Sequence, residues 1–258
     1  MKDIIYRKRP IIIILTGVLL VLSCITFVSR ARAGKIVLTT SDGYRIAGVV
    51  TRPEKKSNGA GVVLLHMYNY DRNIWKPLIP YLSARGITVL AIDMRGHGES
   101  RTGPDGRDNL ERVLKRDPSL FKKMHLDAEA AVRYLQNKEG ISPDHTGLIG
   151  ASIGCSVAIQ TAVARNVKVD AVVVMTPGKK YLGVPTMKHI EKWPGIPLLI
   201  LSSREEAGKG ALSIYKKLKH GGAELVLFDE EGIHGTFMFG KVDGVEKLIS
   251  DWIADKLK

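Results

Sequence analysis

The feature that most constrains this chain is an alternation. Short, continuous apolar runs rich in Val, Ile and Leu return at intervals, and the segments between them carry apolar residues every three or four positions. The runs are "GVVLLHM" (61–67), "ITVLAIDM" (87–94), "TGLIGA" (146–151), "DAVVVMTP" (170–177), "IPLLILSS" (196–203) and "AELVLFD" (223–229). A strand that is apolar at every residue must be covered on both faces, as in a parallel sheet with helices above and below. The intervening helices are predicted from Ile74, Trp75, Leu78, Ile79 and Leu82 ahead of Gly86, and from Leu120, Phe121, Met124, Ala128, Ala131, Val132 and Leu135. Three more are predicted over 153–164, over 210–219 and through Val245, Leu248, Ile249, Trp252, Ile253 and Leu257, while 95–118 reads as a polar loop. Upstream, "KIVLTT" and "YRIAGVVTRP" read as two strands around a Ser-Asp-Gly turn. No internal repeat, low-complexity tract or linker interrupts the pattern. The expectation is one α/β domain over 34–258, with a mostly parallel central sheet and helices on both faces.

Residues 1–33 do not fit that pattern. Lys2, Arg7, Lys8 and Arg9 precede an 18-residue, mostly apolar stretch from Ile11 to Val28. Nothing in the stretch is amphipathic, which argues against a helix of the domain. It reads as a hydrophobic leader: a signal peptide cleaved after Ala31-Arg32-Ala33, or a transmembrane anchor. Cys24 behind Val21-Leu22-Ser23 adds a weak lipoprotein box. The domain is therefore expected to be exported, extracytoplasmic, and either anchored in the membrane by this segment or periplasmic or secreted. Removing the leader's six Lys/Arg and one Asp from the +13 of the whole chain leaves +8 for the rest. No basic stripe interleaved with aromatics accompanies that excess, so nucleic acid is not an expected partner. With Cys24 in the leader, Cys155 has no disulfide partner inside the domain.

The chemistry is carried by "GLIGASIGCSVA", 147–158. Ser152 falls where a strand gives way to a helix, with Gly150 and Gly154 two residues to either side. A serine lifted out of a sharp turn needs such small neighbours, and the helix N-terminus then points at the reacting carbonyl. Alone, this pattern also describes a glycine-lined turn without chemistry. A serine hydroxyl becomes a useful nucleophile only beside a base that is oriented by a carboxylate. His234 in "EEGIHGTF" follows the last strand and supplies the base, and "LLILSSREEAG" offers Glu205 or Glu206 as the acid. The order Ser, acid, His is that of a nucleophile-elbow hydrolase. An oxyanion hole would take the backbone amides of Ile153 and Met67, with His66 bracing the loop that carries Met67.

On these residues the chain resembles the α/β-hydrolase superfamily over about 35–258, most of all its small, nearly lidless esterases and dienelactone-hydrolase-like members. The matching pieces are "LLHMYNYDRNIWKPLIPYLSARGITVLAIDMRGHGES", "GLIGASIG", "PLLILSSREE" and "GIHGT". The resemblance implies a structural turn for "DMRGHGES", so Asp93 and His97 are expected to be structural. It places Ser203 at a common glycine position and so puts Glu206 in the acid role, where members commonly have Asp. It also has Met67 where members commonly have Gly, which would put a side chain into the pocket mouth. "GKKYLGVPTMKHIEKWP", 178–194, lies where larger members insert a lid and is too short for a full one. Tyr68, Tyr70 and Tyr181 are candidate pocket residues, with Met187 beside them, and Trp193 reads as packing.

The reading that follows is a serine hydrolase cleaving small carboxylic esters through an acyl-enzyme on Ser152, His234 and Glu206. A peptidase using the same triad is the alternative within the enzymes, and a non-catalytic binding module is the alternative outside them. No metal site and no organic cofactor are expected, because metal-ligand pairs, phosphate loops and dinucleotide turns are missing from the sequence.

Overall fold

A computed structural model describes residues 32–53 and 56–258; residues 1–31, which hold most of the expected leader and Cys24, lie outside them, whereas Arg32 and Ala33, the last two residues assigned to that leader, pair with Arg52 and Thr51 in the first strand. The first two strands, β1 (Arg32–Thr39) and β2 (Arg45–Arg52), form an antiparallel pair around the expected turn. Then come β3 (Gly61–Leu65), α1 (Ile79–Ala84), β4 (Thr88–Ile92), α2 (Leu110–Leu114), α3 (Pro118–Phe121), α4 (His125–Lys138), β5 (Thr146–Ala151) and α5 (Ile153–Ala164). The chain closes with β6 (Ala171–Met175), α6 (Thr186–Ile190), β7 (Leu198–Ser203), α7 (Ala211–Leu218), β8 (Ala223–Phe228) and α8 (Val245–Lys256). The sheet runs β1-β2-β4-β3-β5-β6-β7-β8 and is parallel from β4 onward.

The continuous apolar runs are explained by what covers them. Alternate residues of one strand enter different cores, as the two-residue period of a strand requires. Val63, Leu65, Leu90, Ile92 and Leu148 pack beneath α4 and α5, whereas Val62, Leu64, Val89, Ala91 and Ile149 pack with Leu82 of α1 and Ile249 and Ile253 of α8. Every residue of β3, β4, β5, β6 and β7 is buried.

Three local expectations are corrected. The helix expected across Ile74–Leu82 is a single 3₁₀ turn, Arg72–Trp75, followed by the short α1, because Pro77 and Pro80 lack the amides that a continuous ladder needs. The long helix expected from Ser119 is divided into α3 and α4 by a tight turn in which Lys123 and Met124 donate to carbonyls three residues back. Its apolar face survives the break, with Leu120, Phe121, Met124, Ala128 and Leu135 all buried. The stretch 95–118, read as loop, contains α2, held by one buried residue, Val113, while Leu110 and Leu114 stay exposed.

Topology also sets where the described chain begins. Arg32 pairs with Arg52, which lies at the N-terminal edge of the parallel strands, opposite the edge where β5 delivers Ser152. β4, which runs from one edge to the other, is five residues long, about 16 Å at 3.3 Å per residue.

Candidate active site

Ser152 sits between β5 and α5 at φ 54 and ψ −115, a left-handed backbone that a residue with a β-carbon rarely adopts. Such a residue costs on the order of 1–3 kcal/mol and persists only where its surroundings over-determine it. Here they do. The Ser152 amide donates to Met175 O at 3.0 Å, and the Ser152 carbonyl accepts from Cys155 N at 3.0 Å. A methyl at Gly150 would collide with the Gly154 carbonyl, and one at Gly154 with the carbonyls of Leu65 and His66. The two glycines thus let the first turn of α5 lie directly on the end of β3.

The Ser152 hydroxyl is 2.8 Å from His234 Nε2, and His234 Nδ1 is 2.6 Å from Glu206 Oε2. Three chain segments 82 and 28 residues apart meet in this one line. Glu206 accepts a second hydrogen bond from Lys209 Nζ at 2.6 Å. Burial pulls the Glu206 carboxyl upward, but the hydrogen bonds from Lys209 and His234 together outweigh it and hold it below the usual range. It is therefore a carboxylate at neutral pH and can accept from Nδ1–H, leaving Nε2 free to accept from the serine. Glu205 points elsewhere: its carboxylate accepts from Gly232 N at 3.0 Å and steadies the loop that carries His234.

Two residues of this site escaped the sequence reading. Lys209 is one. The other is Thr176, just past β6, whose backbone is also left-handed at φ 55 and whose hydroxyl accepts from Gly235 N at 2.9 Å. Neither belongs to a motif; only its position after a buried strand marks Thr176.

The amides of Met67 and Ile153 lie on the two segments that Gly154 brings together. Ile153 opens α5, so its amide has no acceptor within the helix. Among the described residues neither amide donates to another protein group. The Met67 side chain is not in the pocket mouth. It is buried, with Sδ 3.8 Å from Thr236 Oγ1, and it fills the space that a β-carbon on Gly235 would need. The reason is steric: Gly235, at φ 54, leaves a hole beneath the His234 loop that a flexible thioether fills.

His66 braces the loop by a fixed tautomer. Its Nδ1–H donates to Met67 O at 2.7 Å, and Nε2 accepts from Met94 N at 2.9 Å, joining the ends of β3 and β4. Burial, with the nearby His97 adding to it, pushes its pKa down to about 3. The depressed value means that the unfolded chain binds a proton near pH 6.5 that the native state refuses until about pH 3. Stability is thus fully present above 6.5 and is lost as pH falls through that window. Between pH 7 and 5 this group should remove about 2 kcal/mol of unfolding free energy. Urea titrations of the parent and of His66→Asn check it: the variant is expected to be less stable at pH 7 but to show a pH dependence smaller by that amount.

Asp93 and His97 are structural. Asp93 accepts from the amides of Arg72 and Glu99, both at 2.8 Å, and pairs with the Arg72 guanidinium. His97 is buried, with Nδ1 donating to Arg95 O. Beside it, buried Arg95 is shared by Asp127 and Asp42. Cys155 donates to Gly150 O and Met175 O, and burial pushes its thiol pKa up, so it is an inert filler. Trp193 packs against the core and donates to Ile196 O. Among the described residues no three His, Cys, Asp or Glu side chains are grouped to hold a metal, and no helix is long and apolar enough to cross a membrane.

The three tyrosines separate. The Tyr181 ring stands edge-on to His234, centroids 6.4 Å apart, and its hydroxyl donates to Thr176 O at 3.2 Å. Tyr68 is fixed by a bond to Val113 O at 3.2 Å and by Phe121 and His97. Tyr70 is 40% exposed, leans on Phe237 and lines a shallow cavity of about 250 Å³ with Asn69, Gly98 and Leu110.

A family profile described as alpha/beta hydrolase fold matches residues 62–204. The chain is 26% identical over 143 residues to a pimeloyl-[acyl-carrier protein] methyl ester esterase of Legionella pneumophila strain Paris, covering 55% of this chain and 46% of that one. It is 28% identical over 130 residues to an uncharacterized protein of Mycobacterium tuberculosis, covering 50% and 41%. The matches thus span less than half the length of these curated relatives. Among solved structures, an esterase of Pyrococcus furiosus superposes with a TM-score of 0.70 at 19% identity, covering 88% of this chain and 92% of that one. A dienelactone hydrolase from Anabaena variabilis gives 0.61 at 17%, covering 88% and 96%. At these identities the likeness to both structures is one of fold.

Proposed function

The chain belongs to the family of the alpha/beta hydrolase fold, and from that premise we propose that it is a serine hydrolase that cleaves carboxylic esters through an acyl-enzyme. Ser152 attacks the ester carbonyl while His234 Nε2 takes its proton, and the Oγ–carbon bond forms. The Met67 and Ile153 amides receive the charge that develops on the carbonyl oxygen. As the carbon–alkoxy bond breaks, His234 returns the proton to the leaving alcohol. Water, deprotonated by the same imidazole, then attacks the acyl-enzyme, releasing the acid and regenerating Ser152. Glu206 holds His234 in the tautomer with Nδ1–H and stabilises the imidazolium that forms in each half-reaction.

The observation that carries this reading is the unbroken line from carboxylate to imidazole to a serine on a left-handed backbone, at 2.6 and 2.8 Å. The insert after β6, residues 178–194, is too short for a full lid, which suits small esters. Arg32, the first residue described, lies on the sheet edge opposite Ser152.

Labelling with a fluorophosphonate probe tests the proposal and the choice of acid together. The parent is expected to label, Ser152→Ala not at all, and Glu206→Gln about a thousandfold more slowly, since loss of the orienting carboxylate costs that much or more. Glu205→Gln is expected to stay within about tenfold of the parent, because it only steadies the loop. No labelling of folded parent would sink the triad as a working unit.

A further inference from the structure

The triad opens an ester; what then takes the acyl group depends on the groups beside the incoming nucleophile. Tyr181 is one of these. Its ring stands edge-on to His234 with centroids 6.4 Å apart, and its hydroxyl lies within hydrogen-bonding reach of the Ser152 side chain. The hydroxyl proton is already committed: it is donated to the Thr176 carbonyl at 3.2 Å, an atom that can only accept. Burial raises the Tyr181 hydroxyl above its ordinary pKa, so this proton stays in place at neutral pH. Oη therefore faces the nucleophile as an acceptor.

Both partners in that arrangement are over-determined. Tyr181 closes a two-residue hairpin in which its amide donates to Val184 O at 3.2 Å and Val184 N donates to Tyr181 O at 2.7 Å. Leu182 and Gly183 have positive φ, 45 and 87, as such a turn requires. The ring is seated on the backbone of Gly178, where a β-carbon would come within 2.9 Å of it. Thr176, left-handed at φ 55, donates its amide to Leu201 O at 2.7 Å and accepts at its hydroxyl from Gly235 N at 2.9 Å. Taking a proton from Ser152 needs no acceptor at Oη. The second half of the reaction does.

There the attacking water stands against His234 Nε2, in the place the alcohol has left. One of its protons goes to Nε2 and on to Ser152 Oγ as the acyl–Oγ bond breaks. The other stays on the oxygen that becomes part of the acid, and it needs an acceptor. An alcohol in the same place brings only the proton that Nε2 takes. It would set an alkyl carbon against Oη and leave that lone pair unpaired. We propose that Tyr181 Oη accepts the second hydrogen of the attacking water, and that Tyr181 thereby selects water over alcohols as the acyl acceptor. The inference rests on the acyl-enzyme reading and deepens it by naming the acceptor that the same site prefers.

The test divides one acyl-enzyme between two acceptors. The parent and Tyr181→Phe, which keeps the ring, cleave p-nitrophenyl acetate in water with methanol added. Acetate and methyl acetate are counted by NMR, and fluorophosphonate labelling follows attack by Ser152 alone. Tyr181→Phe is expected to raise the ratio of methyl acetate to acetate about tenfold, the worth of one hydrogen bond, through slower hydrolysis. Labelling should slow by less than about threefold, since that step does not use the water. If Tyr181 only steadied Thr176 and the His234 loop, labelling and hydrolysis would slow alike and the ratio would hold. That result, or any unmoved ratio in folded Tyr181→Phe, would overturn the assignment. Should Tyr181→Phe not fold, Gly178→Ala pushes the ring from its seat and is read by the same ratio with the same expectation. Absence of both labelling and cleavage in the parent would instead overturn the hydrolase reading beneath it.

Discussion

Ser152→Ala is expected to lower kcat for ester hydrolysis by about ten-thousandfold or more, with the native fold kept. The large figure follows from chemistry. In the proposed mechanism the acyl-enzyme forms on the Oγ, and without it His234 is left with only water to activate. His234→Ala should lose about as much, and the double variant scarcely more, because in the proposed mechanism the base works through the serine it deprotonates. Far-ultraviolet circular dichroism and a thermal melt of each variant separate loss of chemistry from loss of fold. Ser152 makes its backbone bonds through N and O, which alanine retains, so the melting temperature should stay within a few degrees. Residual activity within tenfold of the parent would show that the nucleophile lies elsewhere.

The largest effect on stability is expected from Gly154→Ala. A methyl there would be driven into the Leu65 and His66 carbonyls. These atoms belong to the end of a buried strand paired on both sides, so they cannot step aside as a flexible side chain could. Either α5 lifts off β3 or the strand end distorts, and a cost of about 3 kcal/mol or more is expected, in the range of severe overpacking. The same displacement would part the Ile153 and Met67 amides, so labelling should be lost even in the fraction that folds. Gly221→Ala is the control, since its β-carbon would meet only Leu218 O at 3.5 Å, an ordinary contact. Denaturant titrations of the two variants should differ by the full 3 kcal/mol; equal midpoints would refute the close approach.

Much of this is legible in the sequence. The strands were legible because a continuous apolar run flanked by turns has few other uses, and β3 to β8 fall within the predicted runs. The helices were less so. Local periodicity sees apolar spacing but not the hydrogen-bond ladder, so Pro77 and Pro80 and the tight turn at Lys123–Met124 shortened helices whose buried faces were correctly named. Helix α2 escaped because a five-residue segment with one buried side chain carries almost no periodic signal.

The site divides in the same way. Sequence alone determined the elbow around Ser152, the place of His234 after the last strand and the pair of acids after β7, since these depend on neighbours within a few positions. Tertiary structure decided what depends on distance across the sheet. It turned Glu206 toward His234 and Glu205 toward Gly232, although the two are adjacent and chemically alike. It buried Met67 beneath Gly235, and it brought Lys209 and Thr176 to the site with no motif to announce them. A residue's spacing along the chain sets its face and its turn; which partner it meets is set by how the strands order themselves. That order is a property of the packed whole.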